Sequence, residues 1–231
     1  MISKKKPILY AELSYVLGLV ILAFGSACMA WGDFGMSVVV APAYILHLKL
    51  SQYLPFFSFG MAEYMTQALV LLLLAIVLRR FKPIFLFSFV TAVLYGFLLD
   101  GAVLLVSLLP LDESFLVRLL VYSFGMVIAT LSIALLFRTY IAPEAYELFV
   151  KEICLRWNLN IGKVKTIYDC VSCVIALILS FAFFGFGQFE GIKLGSIITT
   201  LINGAMIGLW GKALDKVFGF EDGLPLRKYF Q

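Results

Sequence analysis

Ser88-Phe89-Val90-Thr91-Ala92-Val93-Leu94-Tyr95-Gly96 returns at an offset of 108 residues as Ser196-Ile197-Ile198-Thr199-Thr200-Leu201-Ile202-Asn203-Gly204, with Ser, Thr and Gly in register. Two more blocks keep the same order. Gly35-Met36-Ser37-Val38 answers Tyr140-Ile141-Ala142-Pro143 at an offset of 105, and Ser58-Phe59-Gly60 answers Asn160-Ile161-Gly162 at an offset of 102. Small drifts in offset are what loops absorb, so the chain reads as a duplication.

Both copies are apolar. Hydrophobic residues make up 63% of the 231-residue chain and charged residues 14%, against roughly half and a quarter in soluble domains. Spans of about 20 residues fit residues 9–30, 56–78, 84–109, 115–137, 166–186 and 194–214. Each run is continuous rather than alternating, which indicates helices and not barrel strands. The first run is too long for the core of a cleaved signal. Three spans per copy is an odd number, so the second copy is inverted relative to the first. The expected fold is an all-α membrane protein of two inverted three-helix repeats, residues 1–110 and 111–231.

Charge gives the expected orientation. Of 18 Lys and Arg, 15 fall on the side of both termini and three, Lys49, Arg118 and Lys193, on the other. The positive-inside rule then puts both termini in the cytoplasm. The net charge of +4 is read as topology; no basic patch with interleaved stacking aromatics suggests nucleic acid.

Between the first two spans of each copy lies a segment too short to cross. Residues 143–157 predict an amphipathic helix in the cytoplasmic interface, with Tyr146, Phe149, Val150, Ile153 and Trp157 on one face. Glu144 and Glu147 complement its positive start, and Glu147/Lys151 and Glu152/Arg156 are i,i+4 pairs. Residues 38–49 are its more apolar counterpart, interfacial or re-entrant; irregular backbone at membrane depth needs protein or a cavity around it.

Gly35-Met36-Ser37, Pro143-Glu144-Ala145-Tyr146, Ile161-Gly162-Lys163-Val164-Lys165 with Tyr168-Asp169, and Gly195-Ser196-Ile197-Ile198 with Asn203-Gly204 resemble the YczE/YitT-type bacterial integral membrane proteins. Val38, Val40, Ala145 and Ser196 depart from that pattern, standing where a Pro, two Asp and a Thr are usual. The resemblance implies a bacterial cytoplasmic (inner) membrane location and no particular activity.

Ionisable residues inside a membrane default to functional candidates. Glu63 and Asp100 lie roughly 10 and 13 Å from the outer ends of their spans, at about 1.5 Å per residue. Asp169 lies near the cytoplasmic start of span five, and Gln67 is its counterpart, one turn below Glu63. Arg118, a turn into span four, is at a depth to pair with Glu63 or Asp100. Such carboxylates can carry a proton or bind a cationic group; an Arg–acid pair can equally neutralise two charges in the bundle. Asn203, Thr91 and Thr199 are candidates for interhelix hydrogen bonds, Asn203 also for substrate contact.

Catalysis has little support. His47 is the single histidine, and no zinc-protease, nucleophile-elbow, P-loop or dinucleotide pattern occurs. No metal or cofactor is expected. Cys170 and Cys173 have redox spacing without a thioredoxin-like unit, so a membrane thiol oxidoreductase is the least favoured reading. The expectation is a small secondary transporter of an unidentified solute or ion. The alternative is a non-transporting membrane subunit, with a homodimer or partner subunit in view.

Overall fold

The computed structural model describes residues 6–159, 161–225 and 227; Asn160 of the second repeat block lies outside them. In chain order the elements are β1 (Ile8–Tyr10), α1 (Ala11–Gly32), α2 (Ala41–Leu50), α3 (Phe59–Leu78), α4 (Pro83–Ser107), α5 (Phe115–Leu136), α6 (Ala145–Trp157), α7 (Ile161–Phe184), α8 (Leu194–Val217) and β2 (Gly219–Glu221). Six helices, all but α2 and α6, are long and apolar enough to cross a membrane. Their ends follow the apolar runs closely, because charge and turn residues stop them: Arg79 closes α3 in the left-handed region and Pro83 opens α4.

Leucine and phenylalanine face outwards and small residues face inwards. Leu72, Ile76, Phe97, Leu116 and Leu201 are exposed, while Ala23, Ala27, Ala62 and Ala92 are buried. Lipid tails are as apolar as leucine, so helices associate here through close packing. The most extensive pairing is α1 against α5. There the backbones touch: a Cβ on Gly25 would lie 2.8 Å from the Gly125 carbonyl oxygen, and one on Gly125 2.6 Å from that of Gly25. Helix α4 packs on the other side of α1, α8 packs on α5, and α3 packs on α4.

The short helices pack between long ones, and α6 leaves Lys151, Leu155, Arg156 and Trp157 exposed. Helix α2 packs on α3 and α7, and α6 on α3, α4 and α7. This changes the expectation for residues 143–157. The buried side of α6 comprises Ala145, Tyr146, Leu148, Val150, Glu152 and Cys154, and Trp157 is left exposed. Neither Glu147/Lys151 nor Glu152/Arg156 forms. Glu152 pairs instead with Lys82 at the start of α4, and Glu147 lies 3.9 Å from Lys165 of α7. Three surrounding helices give α6 more than one interior face, so no single apolar stripe marks it.

Two three-residue strands qualify the all-α expectation. β1 and β2 pair in parallel, Leu9 opposite Phe220, which brings the segment before α1 against the segment after α8. Glu12 ties the pair down. It accepts hydrogen bonds from the backbone amides of Gly223 (3.0 Å) and Leu224 (2.8 Å), and from the Tyr140 hydroxyl. Burial and the Glu12 carboxylate push the Tyr140 phenol up to about 12. Oxidising a Leu9→Cys/Phe220→Cys variant in isolated membranes should therefore give an intramolecular disulfide on denaturing gels. Absence of that crosslink would contradict the strand pairing.

Candidate functional site

Gln67 stands near the middle of α3, with its amide between two carboxyls from opposite halves of the chain. Nε2 donates to Glu63 Oε1 at 3.3 Å, one turn earlier on α3, and to Glu144 Oε2 at 3.4 Å. Oε1 accepts from the Ala145 amide at 3.0 Å, so Gln67 also caps the start of α6. Glu63 and Gln67 are 0% exposed and Glu144 8%. Among the described residues neither carboxyl is in an ion pair. Glu63 Oε2 and Glu144 Oε1 have no hydrogen-bond partner.

Tyrosines surround the acids. The buried Tyr146 hydroxyl lies against the Glu63 carboxyl without closing a hydrogen bond. Burial holds its phenol well above the usual range. Tyr95 is held by Ser26 at 2.9 Å. Towards α7, Lys165 is drawn off by Asp169 at 3.2 Å and by Glu147. Two carboxyls in a low-dielectric interior repel each other when both are ionised. The arrangement can hold protons or a cation.

The other sequence candidates are scattered. Asp100 serves the backbone: Oδ1 accepts from the Gly60 amide at 2.7 Å and Oδ2 from the Ser58 hydroxyl at 2.5 Å, at the start of α3. Arg118 pairs with neither Glu63 nor Asp100. It binds Asp33 at 3.0 Å and the Gly32 carbonyl at 3.1 Å, and Lys193 reaches Asp33 at 2.7 Å. The reason is local: the left-handed Asp33 ends α1 beside the first turn of α5, nearer than any acid on α3 or α4. Asp169 is bound within its own helix by Lys165. Asn203 is half-exposed on α8, with no hydrogen bond among the described residues. Thr91 and Thr199 meet Tyr15 and Tyr122 across helices, at 2.8 and 2.9 Å. Among the described residues the cysteines are free, with Cys170 exposed.

Glu144 and Tyr146 escaped the sequence reading as site residues. Glu144 looked like an ordinary acid at a helix start. The signal lay in its setting: an acid after a proline, opening a half-length segment between two spans.

Because the Asp33 pairs are over a third exposed, solvent screens them. Asp33→Asn should shift the denaturant midpoint of the purified protein by no more than about 1 kcal/mol of stability. A larger loss would make this cluster a principal support of the bundle.

Six apolar helices, two short helices packed between them and a buried acid–amide cluster define a multi-pass membrane protein. Residues 9–212 match DUF6198, a family of unknown function, and the chain belongs to that family. No curated protein and no solved structure matches it.

Proposed function

We propose that this protein is a small secondary transporter of the bacterial inner membrane, with both termini cytoplasmic. Its two halves are inverted repeats that move against each other around the Glu63–Gln67–Glu144 cluster. Likeness to the YczE/YitT type is consistent with this location.

The packing supports the inverted repeat. With α1–α4 equated to α5–α8, α1–α4 contact answers α5–α8, α2–α3 answers α6–α7, and α2–α7 answers α6–α3. Single contacts follow the same rule. Tyr15–Thr91 answers Tyr122–Thr199, and the close approach of Gly18 to Ser132 answers that of Gly125 to Gly25. One relation is broken: α3 sits on α4 through Gly60 and Gly96, whereas a Cβ on Gly204 of α8 would meet nothing within 4 Å. Halves of like sequence in unlike conformations are what alternating access requires.

The short helices fit a re-entrant reading. Val38 and Val39, before α2, pack on Tyr146 at the start of α6. Gln67, which caps α6, lies about 12 Å from the start of α3 at roughly 1.5 Å per residue. Both N-termini thus point to the middle of the bundle, as in transporters with broken helices at the repeat interface.

The observation that carries the proposal is the cluster itself: two buried acids, one per half, neither of them in an ion pair among the described residues. The test uses purified protein in vesicles containing a pH-sensitive dye. A pH gradient is imposed in media of sodium, potassium or choline salts. Relaxation should be faster than in protein-free vesicles, and Glu63→Gln/Glu144→Gln should slow it about tenfold or more. Vesicles no different from protein-free ones, or a double variant as fast as wild type, would overturn the reading.

The open α8 face favours a second reading, a non-transporting membrane subunit. Met206, Leu209, Trp210 and Ala213 line a shallow apolar groove there. A stoichiometric partner co-purifying with the chain, and lost on Gly204→Trp, would favour that role.

A further inference from the structure

We infer that α5 and α8 form one movable arm, which pivots on α1 where Gly25 meets Gly125 and is latched at the two ends of α1 by Glu12 and Asp33, the latches releasing it alternately. The inference rests on the transport reading and deepens it by naming the moving part and its two gates.

Packing sets the arm apart. Helix α8 packs on α5, and α5 on α1, whereas α6 and α7 of the same half pack on each other and on α2, α3 and α4. The arm therefore meets the rest of the bundle chiefly along α1. Midway along that crossing the contact is backbone on backbone, Gly25 against Gly125. No side chains interlock there, so two crossed helices can turn about that point with little repacking.

Helix α1 has 22 residues, roughly 33 Å at about 1.5 Å per residue. A carboxylate stands at each end, and each one holds both helices of the arm. Glu12, in the first turn of α1, accepts from the Tyr140 hydroxyl beyond the end of α5. It also accepts from the Gly223 and Leu224 amides beyond the end of α8, at 3.0 and 2.8 Å. Asp33, just past α1, accepts from Arg118 in the first turn of α5 at 3.0 Å and from Lys193 before α8 at 2.7 Å. In the register that sets Tyr15 opposite Tyr122, Asp33 falls opposite Tyr140, so the two latches occupy matching places in the two halves.

Both latches can open cheaply. The Asp33, Arg118 and Lys193 side chains are 42%, 35% and 30% exposed, and the Glu12 bonds to Gly223 and Leu224 lie at the surface. Water replaces such partners at small cost, and release strands no buried charge. Tyr140 stands four residues before Glu144, so release at the Glu12 end acts on the segment that carries that acid. An arm turning about its midpoint closes one end as it opens the other. Weakening one latch then favours closure of the other, a coupling between distant sites that two separate supports would not show.

The experiment follows the rate of disulfide formation in the full-length Leu9→Cys/Phe220→Cys protein in vesicles under mild oxidant. That rate reports closure of the Glu12 end. Tyr140→Phe removes one hydrogen bond and keeps the ring, and should slow it about threefold or more. Adding Asp33→Asn, roughly 33 Å away, should bring the rate back to within about twofold of the parent. No slowing in Tyr140→Phe, or a slowing that Asp33→Asn leaves or deepens, would overturn the inference. Glu12→Gln and Arg118→Gln loosen the same two latches and replace any variant that fails to fold. Restored crosslinking in a protein that relaxes no pH gradient would keep the arm and overturn the transporter. Oxidising the parent pair locks one latch shut, so it should slow gradient relaxation about tenfold or more until a reductant is added. Relaxation that continues unchanged with the disulfide formed would overturn the arm and leave the transporter standing.

Discussion

Gly60→Ala should leave little folded protein, while Gly204→Ala should be tolerated. A Cβ on Gly60 would lie 2.0 Å from the Gly96 carbonyl oxygen, 2.6 Å from its carbon and 2.7 Å from Asp100 Cγ. Two of those atoms are backbone, so no rotamer change relieves the overlap. Helices α3 and α4 would have to separate by more than an ångström, losing contact along their whole crossing. Close contact is the main force between helices in lipid. Overpacking typically costs about 1–3 kcal/mol, occasionally more, and an ångström of backbone displacement belongs at the upper end. Total stabilities are only about 5–15 kcal/mol. The corresponding Gly204 has open space, and alanine there gains up to about 1 kcal/mol of helix propensity. Thermal unfolding in detergent tests both. Equal melting of the two variants would refute the difference between the halves.

Asp100→Ala should destabilise the fold by about 2–3 kcal/mol, because it strands a backbone amide and a hydroxyl together. The Gly60 amide is one of the free donors at the start of α3, and Ser58 is the capping residue, accepting from Met61 at 3.0 Å. Asp100 closes this cap from α4, so one carboxylate both satisfies a helix end and holds the Gly60–Gly96 crossing. Asp100→Asn keeps one acceptor and should lose about half as much. Relaxation of the imposed pH gradient per folded molecule should be unchanged in Asp100→Asn. A loss of relaxation with normal melting would return Asp100 to the role its sequence suggested, a coupling carboxylate.

Those two roles for Asp100 show where sequence reading reaches its limit. A charged residue in an apolar run signals that something must satisfy it: Asp100 and Arg118 are fully engaged, and Glu63 on one oxygen only. Which group satisfies it depends on contacts 40 to 86 residues away. Asp100 found an amide and a hydroxyl, Arg118 found Asp33, and Glu63 found Gln67 from its own helix. Glu144 was the harder case. Nothing local separates an acid that caps an exposed helix from one buried between halves; its burial follows from α3, α4 and α7 closing around α6.

The sequence by itself determined the number of long apolar helices and their ends. Each of those is written locally, in runs of apolar residues and in the prolines and charges that stop a helix. Only the tertiary structure decided that the two short helices pack between long ones, that Ile8–Tyr10 and Gly219–Glu221 pair as strands, and that two glutamates share one glutamine. Side chains far apart in the chain come within hydrogen-bond distance only once the helix crossings fix where their backbones lie. In lipid those crossings are set by small residues in contact, such as Gly25 on Gly125 and Gly60 on Gly96, and not by any pattern of polarity along a single helix.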